Sequence, residues 1–211
     1  MAQPHDRKPS VSAAEALRRL QDGNRRFLDG RARFPTIQKE ILADLAKGQQ
    51  PYATILCCSD SRVPPELIFD AGFGELFIVR VAGNVLSQEI AGSLQYAGTH
   101  LNTELFVVMG HDGCGAVQAA LDTLLHDTRH RSRIQTLVDG IIPGLTGLDG
   151  RLPPRELLLR AVEANVRHTM RQILESPEGR ARQAEGRIRL AGAVYAIETG
   201  QVCFLPDLPE A

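Results

Sequence analysis

Thr103-Glu-Leu-Phe-Val-Val-Met-Gly-His-Asp-Gly-Cys-Gly115 reads as a strand that runs straight into reactive side chains. Residues 103–110 are nearly continuous in apolar, β-forming residues, as strands buried on both faces are. From Gly115 to Leu125 the spacing turns helical. Two earlier runs have the same character, Tyr52-Ala-Thr-Ile-Leu-Cys57 and Glu75-Leu-Phe-Ile-Val-Arg80, and Ser87 to Leu101 is helical between the second run and the third. This alternation predicts an α/β fold with a central, mostly parallel β-sheet flanked by helices. Arg187 to Tyr195 supplies a fourth strand. Gln201 to Leu205 supplies a fifth, turned back by Thr199-Gly200 to lie antiparallel at the edge. The expected sheet therefore has four parallel strands plus an antiparallel edge strand.

Outward from the sheet the pattern is helical. Val11 to Gly30 places Ala14, Leu17, Leu20 and Phe27 on one face, with Ser12 or Ser10 as cap and Gly23 interrupting. Thr36 to Lys47 aligns Ile37, Ile41 and Leu45, and Gly48 stops it. Both helices precede any strand. Residues 1–50 are therefore read as an N-terminal helical arm, able to pack on its own sheet or on a partner subunit, and residues 51–211 as the core of a single domain. Ile134 to Leu145 and Pro154 to Leu174 are further helices, joined by a glycine-rich loop.

Composition excludes several classes. The 211 residues are 43% hydrophobic, enough for a sizeable core. Lys plus Arg number 24 and Asp plus Glu 25, which is not the balance of a nucleic-acid binder. Trp is absent and aromatics are only 5%, against base-stacking surfaces. No apolar run of about 18 residues suggests a membrane span, and the polar N-terminus is unlike a signal peptide. A cytoplasmic protein is expected. Four cysteines are too few for a disulfide scaffold of this length and point instead to metal or catalysis.

Three segments stand directly after strands: Cys58-Ser-Asp-Ser-Arg62, Arg80-Val-Ala-Gly-Asn84 and His111-Asp-Gly-Cys-Gly115. Ligands of open parallel sheets bind at the carboxyl ends of strands. Cys58, His111 and Cys114 can converge there, and Cys-His-Cys leaves one tetrahedral position of zinc open, as catalytic sites do. Taken singly, each residue has a plainer reading. Cys58 would be a core residue, His111 a buried histidine, Ser59 to Ser61 turn or cap residues, and Arg62 a solvated charge. Their coincidence favours a site. Cys57 points to the opposite face from Cys58, and Cys57 and Cys203 are both read as core residues.

At these residues the sequence resembles the β-class carbonic anhydrases over nearly its whole length. The resemblance rests on Leu20-Gln-Asp-Gly-Asn-Arg-Arg-Phe27, Cys58-Ser-Asp-Ser-Arg-Val-Pro-Pro-Glu66, Phe77-Ile-Val-Arg-Val-Ala-Gly-Asn84, Gly110-His-Asp-Gly-Cys-Gly-Ala-Val117, Gly192-Ala-Val-Tyr195 and Glu198-Thr-Gly-Gln-Val202. It implies zinc on Cys58, His111 and Cys114, and reversible hydration of carbon dioxide to bicarbonate and a proton by zinc-bound hydroxide. It implies an Asp60–Arg62 dyad in which Arg62 keeps Asp60 ionised and Asp60 orients the hydroxide. Gln49 matches the family's substrate-binding amide, and Phe77 and Tyr96 match its apolar pocket positions. The Gly115 amide, at a helix start, is a donor for bicarbonate. The family further implies a homo-oligomer, dimer or tetramer, in which the N-terminal helices embrace a partner and Gln49 or Phe77 enters the neighbour's site. Ile55 stands where one subgroup carries a Trp for a second bicarbonate site, so no such trap is expected. Carbonyl sulfide or carbon disulfide hydrolysis, a non-catalytic zinc protein and a thiol redox sensor are the rivals.

Overall fold

The computed structural model describes residues 10–33 and 39–208. Its sheet has five strands in the order β2-β1-β3-β4-β5: β1 Ala53–Cys57, β2 Leu76–Arg80, β3 Leu105–His111, β4 Arg189–Tyr195 and β5 Val202–Phe204. The first four are parallel and β5 pairs antiparallel with β4, as expected from the sequence. β1 lies between β2 and β3, so the chain leaves β1 to one side and returns on the other. That reversal opens a crevice at the carboxyl ends of β1 and β3.

Eight helices cover the sheet among the described residues: α1 Ala13–Leu28, α2 Lys39–Leu45, α3 Pro65–Ile68, α4 Gln88–His100, α5 Gly115–His126, α6 Arg133–Leu145, α7 Pro154–Glu175 and α8 Pro177–Ala184. Neither α3 nor α8 is expected from periodicity, since each is too short to show it. Ile37, placed on the second helix by its spacing, lies outside the described residues. Alternation along β1 sends Ala53, Ile55 and Cys57 into the cluster under α1, while Leu56 and Cys58 face the α4 to α7 side. Cys57 is a core residue as expected. Cys203 is not: it lies exposed on the three-residue edge strand, where the outward face meets no helix.

The buried face of α1 is rotated from the one its spacing suggests. Leu20 is buried and Leu17 partly so, as expected, but Ala16, Gly23 and Asn24 are buried with Leu20, whereas Ala14 is exposed. Gly23 does not interrupt the helix. A Cβ there would stand 1.8 Å from the Phe69 carbonyl oxygen, so glycine is what lets α1 touch the chain after α3. Beside it the Asn24 amide donates to the carbonyls of Ile68 (3.2 Å) and Gly200 (2.9 Å) and accepts from the Val202 N–H (3.0 Å). α1 is thus held to its own sheet by a buried polar residue with three partners.

The same seam contains a buried acid. Asp70 is 2% exposed at its side chain and accepts from Arg26 Nε at 2.5 Å and from the Arg33 amide and Nε at 2.7 and 3.1 Å. Burial alone would raise its pKa, but the bonds to Arg26 and Arg33 outweigh it and the net shift is downward. A depressed folded pKa gives stability that is present above the unfolded value, about 3.9, and is lost as pH falls through the folded value. Asp70→Asn should cost about 2 kcal/mol at pH 7 and flatten the loss of stability below about pH 4. Urea titrations of both proteins at pH 7 and pH 3.5 measure this, and equal stability at pH 7 would remove the ion pairs from the account.

Candidate metal centre

Each strand end delivers one part of the site. β1 ends at Cys57, so Cys58 is the first residue free of the ladder, and it is 5% exposed. β3 ends on His111, fully buried, and Gly113, at φ 62°, turns the chain so that Cys114 caps the N-terminus of α5. The ligand atoms of Cys58, His111 and Cys114 lie within 4.8 Å of one another.

The orientation of the histidine follows from its neighbour. Nδ1 lies 2.8 Å from the Asp112 carbonyl oxygen, which only accepts, so Nδ1 carries the proton and the neutral ring leaves a lone pair on Nε2. That Nε2 is buried and has no hydrogen-bond partner. Asp112 is held in turn, its N–H donating to the Tyr195 carbonyl and its carboxylate accepting from the Ile197 N–H. Leaving a buried ring nitrogen unpaired is costly unless something takes its lone pair. Two sulfurs and one imidazole nitrogen with no carboxylate among them are the donors a borderline-soft divalent ion prefers. The residues therefore fit a metal ion, and three protein donors leave one coordination position for a reactant.

Without a metal the two sulfurs compete for one negative charge. A hydrogen bond from Cys114 pulls the Cys58 thiol down, against the cost of burial, while the same interaction and burial push Cys114 up. The first amides of α5, at Val117 and Ala116, oppose that rise. Burial lowers the pKa of His111, but contact with Cys58 reverses the sign. A divalent cation relieves this conflict by accepting both thiolates.

At the rim stands the Asp60–Arg62 pair. Arg62 Nε and Nη2 meet the two Asp60 carboxylate oxygens at 2.9 and 2.7 Å, and the Arg62 amide adds a third bond at 3.0 Å. Arg62 holds the carboxyl well below the usual carboxylate range, with some help from His111. Asp60 Oδ2 comes within 3.8 Å of His111 Nε2, so the carboxylate overlooks the metal face. Arg80 braces this loop, donating to the carbonyls of Cys58 (3.1 Å) and Asp60 (2.6 Å). Sequence reasoning singled out the segment that begins at Arg80 without giving it this task; its place at the end of β2, in register with Cys57, was the available signal.

Gly115 is exposed at the first turn of α5, next to Cys114. The other three expected pocket residues lie elsewhere in the same chain. Phe77 is in register with Thr54, four residues back from Cys58 and so roughly 13 Å away along the strand. Its ring meets Tyr96 at 6.1 Å, and Tyr96 is 47% exposed. Gln49 is exposed and precedes β1, whereas Cys58 follows it. One chain thus carries Cys58, Asp60, Arg62, His111, Cys114 and Gly115 at the carboxyl end of its sheet, and Gln49, Phe77 and Tyr96 toward the other.

Comparison with known proteins agrees with this geometry. Residues 53–202 match the family model described as carbonic anhydrase. "Carbonic anhydrase 2" of Mycobacterium tuberculosis is 38% identical over 197 residues, covering 92% of this chain and 93% of that protein. Among solved structures, one of two tetrameric β-carbonic anhydrases of Sordaria macrospora superposes with a TM-score of 0.72 at 26% identity, covering 79% of this chain and 86% of that one. The Coccomyxa β-carbonic anhydrase, solved with acetazolamide, gives 0.71 at 27% identity over 87% and 83%. With the family model spanning the four parallel strands and all three candidate ligands within it, the chain belongs to the β-class carbonic anhydrases, which are carbonate dehydratases.

Proposed function

We propose that zinc, held by Cys58, His111 and Cys114, serves the reversible hydration of carbon dioxide in this chain. The observation that carries the reading is the buried, unpartnered His111 Nε2 set between two cysteine sulfurs, with an ionised carboxylate 3.8 Å away. Bound there, zinc would acidify a water molecule and so supply a nucleophile near neutral pH. The remaining work falls to the chain. Asp60, ionised and acceptor-only, takes a hydrogen bond from the nucleophile's O–H and turns a lone pair toward the carbon. Arg62 occupies both Asp60 oxygens, which keeps the carboxylate ionised and in that orientation. The Gly115 amide at the α5 N-terminus donates to the anionic product.

The separation of Phe77, Tyr96 and Gln49 from the metal face supports a homo-oligomer, a dimer at least. In this reading a second copy brings its Phe77 and Tyr96 to the apolar side of the site and its Gln49 amide to bicarbonate, with α1 and α2 gripping the neighbour. Two buried thiols that must stay reduced to bind metal support a cytoplasmic setting. Among the described residues no helix is long and apolar enough to cross a membrane.

Two measurements test the reading. Cys58→Ser and His111→Ala should each drop bound zinc well below one ion per chain by elemental analysis, while Cys203→Ala keeps it; full metal content in either of the first two would sink the ligand set. Asp60→Asn should retain zinc yet lose about a hundredfold or more in kcat/KM by stopped-flow hydration. Unchanged hydration would remove Asp60 from the mechanism. Zinc-loaded wild-type protein that hydrates carbonyl sulfide but not carbon dioxide would replace the substrate.

A further inference from the structure

Asn165 lies in the middle of α7, in none of the strand-end motifs, and is 1% exposed. Its Nδ2 donates to the Gly83 carbonyl at 2.8 Å. That carbonyl can only accept, so the amide must present its NH2 there, although this leaves Oδ1 buried without a partner. One turn on, Thr169 Oγ1 donates to the next carbonyl, Asn84, at 3.2 Å. The two side chains hold a turn that leaves the ordinary backbone regions, with φ 70° at Gly83 and 45° at Asn84. The positive φ favours glycine at 83, and the space is close: a Cβ there would stand 2.6 Å from Ile141 Cδ1 and 3.1 Å from Ala116 Cβ. The Gly83 carbonyl is thus held from α7, and Gly83 itself lies against Ala116 of α5 and Ile141 of α6. Its N–H, in the preceding peptide plane, donates to Cys58 Sγ at 3.4 Å.

We propose that Asn165 is a positioning residue for the metal centre: by gripping the Gly83 carbonyl it holds Gly83 at its positive φ, and so keeps the N–H on the other side of that residue aimed as a hydrogen-bond donor at the Cys58 sulfur. The proposal deepens the metal-site reading and rests on Cys58 being a ligand. Two thiolates place more negative charge in the buried site than imidazoles would. An N–H aimed at one sulfur offsets part of that charge and fixes where the sulfur points, as outer-shell partners of metal ligands do. α7 reaches the turn because Gly110 of β3 and Gly192 of β4 carry no Cβ. At Gly110 one would stand 2.8 Å from Val162, and at Gly192 2.8 Å from the sulfur of Met170.

The test uses the full-length protein loaded with Co2+ in place of zinc. Asn165→Asp keeps the volume but loses the donor, and Asn165→Ala truncates it. Both should weaken Co2+ and Zn2+ binding by about tenfold or more in chelator competition. Both should also move the thiolate-to-cobalt absorption to longer wavelength, because an unbonded sulfur gives up its electron more readily. Ile173→Ala, also buried on α7, should leave the absorption and affinity as in wild type. Folded Asn165 variants with wild-type absorption and affinity would overturn the proposal, as would an Ile173→Ala protein that copies their changes. A second measurement needs no variant. In wild-type protein loaded with 113Cd, the Gly83 amide proton should show scalar coupling to the metal through the Cys58 sulfur, and its absence would equally overturn the proposal. Wild-type protein that binds Co2+ no better than its Cys58→Ser variant would instead refute the metal-site reading itself.

Discussion

The cost of burying Cys58, His111 and Cys114 within 4.8 Å of one another governs how the rest of the molecule is built. Two thiols and an imidazole cannot all reach a favourable protonation state in a dry site unless a cation takes their lone pairs. Every neighbouring element answers that constraint. β1 and β3 stop where their next side chains must face the crevice. The start of α5 lends the positive end of its dipole to Cys114. Arg62 and Arg80 bring positive charge and fix the Cys58–Asp60 loop through side-chain and backbone oxygens, on the surface side of the sulfurs. The centre is therefore electrostatically lopsided: anionic donors inward, guanidinium groups outward, and Asp60 between them.

The parallel sheet sets the positions of these groups and the glycines set their tolerance. β1, β2 and β3 advance in register, so Cys57 stands beside Arg80 and Met109; the segments after β1 and β2 emerge at one level, and β3 runs two residues further to deliver His111. A slip of one residue in any strand would reverse the facing of its side chains. Packing then limits movement. Leu56, Val108 and Val166 lock one face, and Ile55, Val107 and Met109 the other. A close-packed core transmits small displacements rather than absorbing them, so a helix such as α7 can influence a ligand it does not touch.

The legibility of all this in the sequence was uneven, for identifiable physical reasons. Continuous apolar runs make buried parallel strands plain, and all five strands lie within a residue or two of where spacing put them. The Cys58, His111 and Cys114 cluster and the Asp60–Arg62 pair could be picked out because they follow strands directly. Only part of the buried face of α1 could be, because beside Leu20 it contains Gly23 and Asn24, two residues that hydrophobic periodicity scores as breaks. They are buried by close contact and hydrogen bonding instead. Cys203 was misjudged as core because strand alternation indicates a facing, not whether anything covers it. Asn165 gave no signal at all. A polar residue within an amphipathic helix looks like a solvated one until the tertiary structure supplies its carbonyl.

The three bonds of Asn24 bear on how the chain is made. Two of them reach Gly200 and Val202, 176 and 178 residues away. A ribosome adding about 5–20 residues per second needs roughly ten to forty seconds to cover that distance. Throughout that interval Asn24 lacks two of its three partners, having only the Ile68 carbonyl within reach, and the Ala16–Leu20 face of α1 is without the β4 part of the core. α1 is thus made well before the segment that completes its contacts, and it stays unfinished until Gly200 and Val202 arrive.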